Sequence, residues 1–239
     1  MRINRFLAAA TGMSRRQADK VIAASKVFIN DLPAQLTDHV TTTDKVVYEK
    51  QQLFLPLEYT TIMLNKPVGY VCSRDGQGSK TVYDLLPEEL RSLKPVGRLD
   101  KDSSGLLLLT DNGSLANELT HPKYQKEKIY LVHLAHPLKG PDFDAITKTG
   151  VDIGDKLKSK FRLEVHTPDH EIGDSHKTHD SCFAESTKDW IVTIHEGRNR
   201  QIRRTFSALG YTVKHLHRIS FGDYRLEDVA SGTFKKIKS

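Results

Sequence analysis

The sequence predicts an α+β protein in two parts, a small N-terminal module and a larger domain built around a buried sheet. The 239 residues suit one large domain or two smaller ones. The first fifty residues show the order helix, helix, strand, strand. The stretch "GLLLLTD" at 105–111 is typical of a central strand that is covered on both faces. Later elements follow through hairpin-like links, without regular βαβ alternation.

Two helices begin the N-terminal module. Ile3, Phe6 and Leu7 recur at helical spacing, and Gly12 stands where a C-terminal cap belongs. The letters "SRRQ" at 14–17 form a capping box, which predicts the start of a second helix.

Two strands and a linker complete this module. Strands are predicted within 26–30 and 44–50, and the proline-containing stretch 51–58 indicates a linker. We therefore predict a small α/β module with its linker at 1–58, and a second domain at 59–239.

Apolar periodicity and turn residues predict the elements of the second domain. In chain order they are a strand, a Pro-Val-Gly turn and a strand in 59–73, a short helix in 81–91, the central strand at 105–111, a helix at 114–122, a strand at 127–135, a helix at 142–150, a strand at 189–197, a helix at 198–210 and a strand at 212–222.

Composition limits the classes of function. Lysine and arginine number 36 against 30 aspartates and glutamates, a net charge of +6 that favours polyanionic partners. The two cysteines form no CxxC pair, so a reducing cytosol fits. No apolar run approaches membrane-spanning length, and we identify no targeting segment. We expect a cytoplasmic monomer without a membrane partner.

Basic residues concentrate in two places. In the N-terminal module, two arginines at the start of the second helix are suited to phosphate, although a solvated helical face would show the same pattern. The expected nucleic-acid contacts of this module are Arg2, Arg5, Arg15, Arg16 and Lys20. The second group lies in "EGRNRQIRR", from which Arg198, Arg200 and Arg204 are also expected to contact nucleic acid.

Arg203 and Asp100 each allow a structural and a functional interpretation. Arg203 follows the core position Ile202, so it either forms a structural salt bridge or orients a catalytic acid or a phosphate. Asp100 ends a Gly-Arg-Leu-Asp turn before the buried strand, where aspartate is common for conformational reasons. Asp102 reads as an ordinary turn residue. Tyr130 in "EKIYLVHL" suits strand packing as well as a site role.

Five segments together resemble the motifs of the RsuA-type pseudouridine synthases. They are "LNKPVGYVCS", "GRLDKDSSGLLLLTDNG", "EKIYLV", "EGRNRQIRR" and "HLHRISFG". The N-terminal module resembles the RNA-binding domain named after ribosomal protein S-four. The resemblance covers almost the whole chain and implies the pseudouridine-synthase fold, with a mixed, largely antiparallel central sheet.

The resemblance implies site residues position by position. Asp100 matches the catalytic aspartate, Tyr130 the tyrosine that stacks near the target base, and Arg203 the arginine that pairs with the catalytic carboxylate. The implied substrate-binding positions are Arg98 in the turn, the apolar Ile202 and Leu216, and Lys66 of the first motif.

The implied reaction isomerises uridine to pseudouridine, with the target base flipped into the site. A carboxylate can act at the sugar or at the ring, and the sequence does not choose between them. No metal or other cofactor is expected. The expected partner is RNA, with ribosomal RNA preferred over transfer RNA; the motifs disagree between small- and large-subunit enzymes.

Two other classes of function stay open from the sequence. A non-catalytic RNA-binding factor for ribosome assembly could keep the fold, although it would be free to lose Asp100, Tyr130 and Arg203. A nucleoside hydrolase would need a second carboxylate, for which Asp102 is the only candidate offered. The histidine-rich stretch 166–182 reads as a solvated loop rather than a zinc site, because its spacing fits no usual ligand pair.

Overall fold

The structure, a computed structural model, describes residues 1–166 and 187–237. Buried side chains form one hydrophobic cluster in the N-terminal module and two in the second domain. No residue is shared between the module's cluster and the other two. No helix in the described ranges is long and apolar enough to cross a membrane.

Two helices and a small antiparallel sheet form the N-terminal module. The elements are α1 (Ile3–Thr11), α2 (Arg15–Ala23), β1 (Val27–Ile29), β2 (Leu32–Pro33), β3 (Val46–Tyr48) and β4 (Gln51–Leu53), and the strand order is β2-β1-β3-β4. Both predicted caps are present, since Gly12 has φ +75° and Ser14 and Gln17 form the capping box. The first half of the predicted linker is β4, because it pairs with β3. The domain boundary at residue 58 stays a prediction.

The second domain is built on one mixed sheet. Its elements are β5 (Thr61–Lys66), β6 (Lys94–Pro95), β7 (Ser104–Thr110), α3 (Gly113–Thr120), β8 (Lys128–Leu134), α4 (Gly140–Asp144), β9 (Arg162–Val165), β10 (Asp189–Ile194), α5 (Gln201–Ala208), β11 (Val213–Phe221), β12 (Tyr224–Arg225) and β13 (Phe234–Ile237). The main strand order is β13-β5-β7-β11-β8-β10-β9, with β6 on β7 and β12 on β11. Among the described strands, β7 and β11 form the single parallel pair, which confirms the mixed, largely antiparallel sheet.

Some predicted elements differ in form. The predicted strand after the Pro-Val-Gly turn is reduced to one bridge, between Val71 and Thr81. The predicted helix in 81–91 is two 3₁₀ turns, Val82–Leu85 and Glu88–Leu90. The helix predicted at 142–150 is the short α4, followed by the π-turn Ala145–Thr149.

The central strand β7 is buried on both faces, as its leucines predict. Leu107 and Leu109 join the larger cluster, whereas Leu106 and Leu108 join the smaller one on the other face. Gly105, the second residue of this strand, has φ +103°, and a Cβ there would lie 2.2 Å from the carbonyl oxygen of Arg218 on β11. The parallel pair thus forms only because residue 105 has no side chain.

Candidate active site

A large cleft lies against the interior strands β8, β10 and β11 of the sheet. Its volume is about 1170 Å³, and its lining includes Asp100, Tyr130, Ile202 and Leu216. These four residues were predicted from segments that are up to 116 positions apart in the chain. The fold therefore brings the predicted carboxylate and the predicted apolar positions into one cleft.

The register of β8 and β11 explains the apolar wall. Leu216 lies opposite Val132, and Arg218 lies opposite Tyr130. Because residues two positions apart on a strand point to the same face, Leu216 and Arg218 of β11 both face the cleft. Ile202 reaches the same wall from the first turn of α5. Tyr130, Ile202 and Leu216 are each at least nine-tenths buried. The wall offers a flat aromatic ring and aliphatic side chains to a planar ligand.

Lys66 fixes the loop that carries Asp100. Its ammonium is completely buried and donates to the carbonyl oxygens of Asp100 at 3.0 Å, Ser103 at 2.7 Å and Pro67 at 3.1 Å. Burial lowers the pKa of this lysine. The prediction that Lys66 binds substrate is wrong, because its charge is directed into the protein, where it holds the loop backbone.

Cys72 holds the same loop one residue earlier. Its thiol donates to the carbonyl oxygen of Leu99 at 3.3 Å and accepts from the Leu99 amide at 3.4 Å. Burial raises the pKa of the thiol, so it stays protonated and able to donate at neutral pH. The Asp100 carboxylate, by contrast, is one-third exposed and faces the cleft.

Arginine and aspartate side chains form a network beside Asp100. The Arg200 guanidinium donates to both oxygens of Asp102, at 2.9 and 2.8 Å, and lies 3.7 Å from Asp100 Oδ2. Arg203 donates to the carbonyl oxygens of Asp102 at 2.7 Å and of Val213 at 2.8 Å, and its Nε lies 3.3 Å from the Asp102 carboxylate. The expected pair of Arg203 with Asp100 is therefore corrected: Arg200 approaches Asp100, and Arg203 holds Asp102.

The network assigns Asp102 a positioning role. The hydrogen bonds from Arg200 lower the pKa of the Asp102 carboxyl, and the charge of Arg203 adds to this effect against the opposing effect of burial. Asp102 is therefore ionised at neutral pH, with both oxygens occupied by arginine. A carboxylate in this state is poorly placed to activate water, which argues against the nucleoside-hydrolase alternative.

Asp102→Asn is expected to reduce turnover about tenfold, because Arg200 loses one partner of its two-pronged contact beside Asp100. At neutral pH the stability loss should stay below about 1 kcal/mol, since the Asp102 side chain is 44 % exposed. The ionised Asp102 carboxylate contributes to the stability of the wild-type protein at pH values above its unfolded-state pKa, which is near 3.9. This contribution is lost as the pH falls through the lowered pKa of Asp102 in the folded state. Urea titrations at several pH values and steady-state rates measure both effects. An equal stability difference at acidic and neutral pH would contradict this assignment.

Two arginines that were predicted to contact RNA are occupied by protein groups. Arg198 donates to Asp155 and to the carbonyl oxygens of Leu157 and Lys158. Arg204 donates to the same Asp155 and to the carbonyl oxygens of Asn199 and Ile153. The structure thus gives both a part in fixing the 153–158 loop, and their contact with RNA stays a prediction.

The remaining basic residues of the prediction are exposed. Arg98 lies at the margin of the cleft. The five exposed residues of the N-terminal module are Arg2, Arg5, Arg15, Arg16 and Lys20. One of them, Arg5, donates to the hydroxyl of Ser114 on α3, and Lys94 donates to the carbonyl oxygen of Met13. These two bonds connect the module to the second domain. RNA contact by the five residues stays a prediction.

The cleft is strongly basic. Its lining contains nine lysines and arginines but only three aspartates and glutamates. Three residues of the site had no predicted function, namely Asp102, Lys128 and Arg218. Alternation offered a signal for the last of these, because Arg218 lies two positions after Leu216 on a buried strand. No pattern in the sequence joins Asp102 to Arg200.

No metal site is found in the described ranges, where no three His, Cys, Asp or Glu side chains are grouped to hold an ion. The interpretation of the histidine-rich stretch as a solvated loop concerns mainly residues 167–186, which lie outside the described residues.

The sequence matches known proteins along its full length. The family model described as RNA pseudouridylate synthase matches residues 60–208. The ribosomal small subunit pseudouridine synthase A of Pasteurella multocida strain Pm70 is 34 % identical over 242 residues, covering 100 % of this chain and 97 % of that protein. The protein of the same name from Haemophilus influenzae is 35 % identical, covering 99 % and 96 %.

A solved structure agrees with these matches. The crystal structure titled pseudouridylate synthase superposes with a TM-score of 0.67 at 32 % identity, covering 100 % of this chain and 96 % of that one. The matched residues of the family model include the loop of Asp100, the strand of Tyr130 and the helix of Ile202 and Arg203. The chain therefore belongs to the RNA pseudouridylate synthase family.

Proposed function

We propose that this protein isomerises a specific uridine of ribosomal RNA to pseudouridine, with Asp100 as the catalytic carboxylate. The observation that carries the proposal is the placement of Asp100: an accessible carboxylate on a loop with fixed backbone, in a basic cleft with an apolar wall. The alternative of a non-catalytic assembly factor is not favoured, because the family match includes Asp100, Tyr130 and Arg203.

The chemistry requires a carboxylate that is held in place. Pseudouridine forms when the bond between the sugar and the base nitrogen breaks, the base rotates, and a carbon of the ring rejoins the sugar. That carbon then releases its proton, and the freed nitrogen ends protonated. Asp100 can serve as a nucleophile or a base in this sequence. Lys66 and Cys72 fix its backbone on both sides, and Arg200 supplies a positive charge 3.7 Å from its carboxylate. Fixed geometry of this kind removes much of the entropic barrier to reaction.

The wall opposite the loop suits the uracil ring. A uridine that is flipped out of its helix or loop needs a pocket that replaces the stacking it gives up. Tyr130 offers an aromatic ring, and Ile202 and Leu216 offer aliphatic contact. We expect the detached base to rotate against this wall while Asp100 acts at its side.

The preferred substrate in this proposal is the RNA of the small ribosomal subunit. Support comes from the names of relatives that match nearly the whole chain. The test is a tritium-release or mass-spectrometric assay of the purified protein on transcripts of small-subunit RNA, large-subunit RNA and transfer RNA. Product in the small-subunit transcript alone is expected. Product only in another RNA would reassign the substrate, and no product in any would refute the activity.

We also propose that the protein acts as a monomer in the cytoplasm. The sequence contains no heptad pattern for an oligomer, and its cysteine usage fits a reducing compartment. Light scattering at micromolar concentration should give a mass near 27.0 kDa. A mass twice as large would contradict the monomer.

A further inference from the structure

Arg218 is a buried cation without a matching anion. The residue is 1 % exposed, and its Nε donates to the carbonyl oxygen of Leu106 at 2.8 Å. Its Nη2 atom has no hydrogen-bond partner among the described residues. Buried arginines are normally paired, since an uncompensated charge in the interior is costly. Arg218 also borders the cleft, so a ligand there could supply the missing partner.

Lys128 is a second cation at the same place. The pairing of β8 with β11 sets Lys128 opposite Phe221 and Tyr130 opposite Arg218. The Lys128 ammonium lies 5.1 Å from the centre of the Phe221 ring, and the Arg218 guanidinium lies 4.9 Å from it. Two cations therefore share one aromatic ring at the wall of the cleft.

Neither cation forms an ion pair in the part of the chain that the structure describes. In residues 1–166 and 187–237, no carboxylate oxygen lies within the 4.0 Å ion-pair distance of Lys128 or Arg218. The Lys128 ammonium donates to the carbonyl oxygen of Glu196 at 3.5 Å. Burial and the charge of Arg218 lower the pKa of Lys128, and the charge of Glu196 partly opposes them. The free protein thus holds two mutually repelling charges beside its substrate cleft.

We infer that Lys128 and Arg218, placed on the ring of Phe221, form a binding site for one backbone phosphate of the RNA in the cleft. The inference rests on the proposed function for the identity of the ligand, because a polynucleotide brings phosphodiesters next to any base that enters the cleft. A phosphate there would complete the donors of Arg218 and neutralise the repulsion. It would also fix the position of the nucleotide relative to Tyr130 and Asp100.

The test measures RNA affinity without turnover. Lys128→Gln and Lys128→Arg are each combined with Asp100→Asn, and the affinity of the full-length protein for its substrate transcript is measured from about 50 to 300 mM salt. Lys128→Gln is expected to reduce the slope of log affinity against log salt by about 0.7 to 0.9, the value for one phosphate contact. At the lowest salt, the affinity should fall about tenfold. Lys128→Arg should keep the parental slope.

The matched control is Lys148→Gln. Lys148 is an exposed lysine on the turn Ala145–Thr149, it pairs with Asp144 at the end of α4, and it lies outside the cleft. A second measurement replaces single phosphates near the target uridine by neutral methylphosphonates. At one linkage, the methylphosphonate should lower the affinity of the parental protein for the RNA about tenfold. The same replacement should leave the affinity of the Lys128→Gln variant unchanged, because that variant has already lost the contact.

Two outcomes would overturn the inference: a salt slope for Lys128→Gln equal to that of Lys148→Gln, or equal losses for both proteins at every neutral linkage. Failure of the proposed function gives a different result, namely no pseudouridine formed by the wild-type protein. The salt slopes report on the phosphate site in either case, because they need binding and no turnover.

Discussion

Asp100→Asn is expected to lower pseudouridine formation by at least about three orders of magnitude while RNA affinity stays within about twofold. An amide of the same size removes the negative charge and the nucleophilic oxygen but keeps the shape of the side chain. The loop should keep its position, because Lys66 and Cys72 bind backbone atoms that the substitution does not alter. Single-turnover assays and a filter-binding titration measure the two quantities.

The control is Asp111→Asn at the other end of β7. There the carboxylate accepts from the backbone amide of Thr60 at 2.8 Å, which an asparagine oxygen can also do. This variant should keep wild-type activity. Substantial activity in Asp100→Asn would show that another group performs the chemistry.

Gly105→Ala is expected to destabilise the protein by more than about 3 kcal/mol. A Cβ at this position would lie 2.2 Å from the carbonyl oxygen and 2.6 Å from the amide nitrogen of Arg218. These are backbone atoms of β11, so the clash can be relieved only by separating the parallel strands. The same movement would shift Arg218 and Leu216 at the cleft, and activity should fall with stability. Urea denaturation measures the loss.

The control for backbone conformation is Gly78→Ala. Gly78 also has a positive φ, of +83°, but a Cβ there would meet no atom within 4 Å. This variant should cost about 1 kcal/mol, the penalty for an L-residue in that conformation. Equal destabilisation by the two substitutions would mean that the contact with Arg218 is unimportant.

Much of the fold could be predicted because its signals are local. The capping box at Ser14 and Gln17 is contained in four residues. The leucines of β7 are buried at every position of the run, as their lack of alternation indicates. Strand β4 escaped prediction because its pairing with β3 overrides the weak local preference of "QQL".

Several members of the site could be predicted, but its ion pairs could not. Asp100, Tyr130, Ile202 and Leu216 meet in the cleft as expected. Which arginine approaches Asp100 depends on how α5 packs against the loop, and no local pattern carries that information. The resemblance implied a substrate role for Lys66 through its place in the first motif, but the residue is buried. Its burial follows from three backbone carbonyls that converge only in the folded chain.

The most direct test of the catalytic assignment is a pseudouridine map of ribosomal RNA from cells that lack this gene, complemented with the wild type or with Asp100→Asn. The proposed activity predicts that one site in the small-subunit RNA loses its pseudouridine and regains it only with the wild type. An unchanged ribosomal map, or full restoration by Asp100→Asn, would contradict the account.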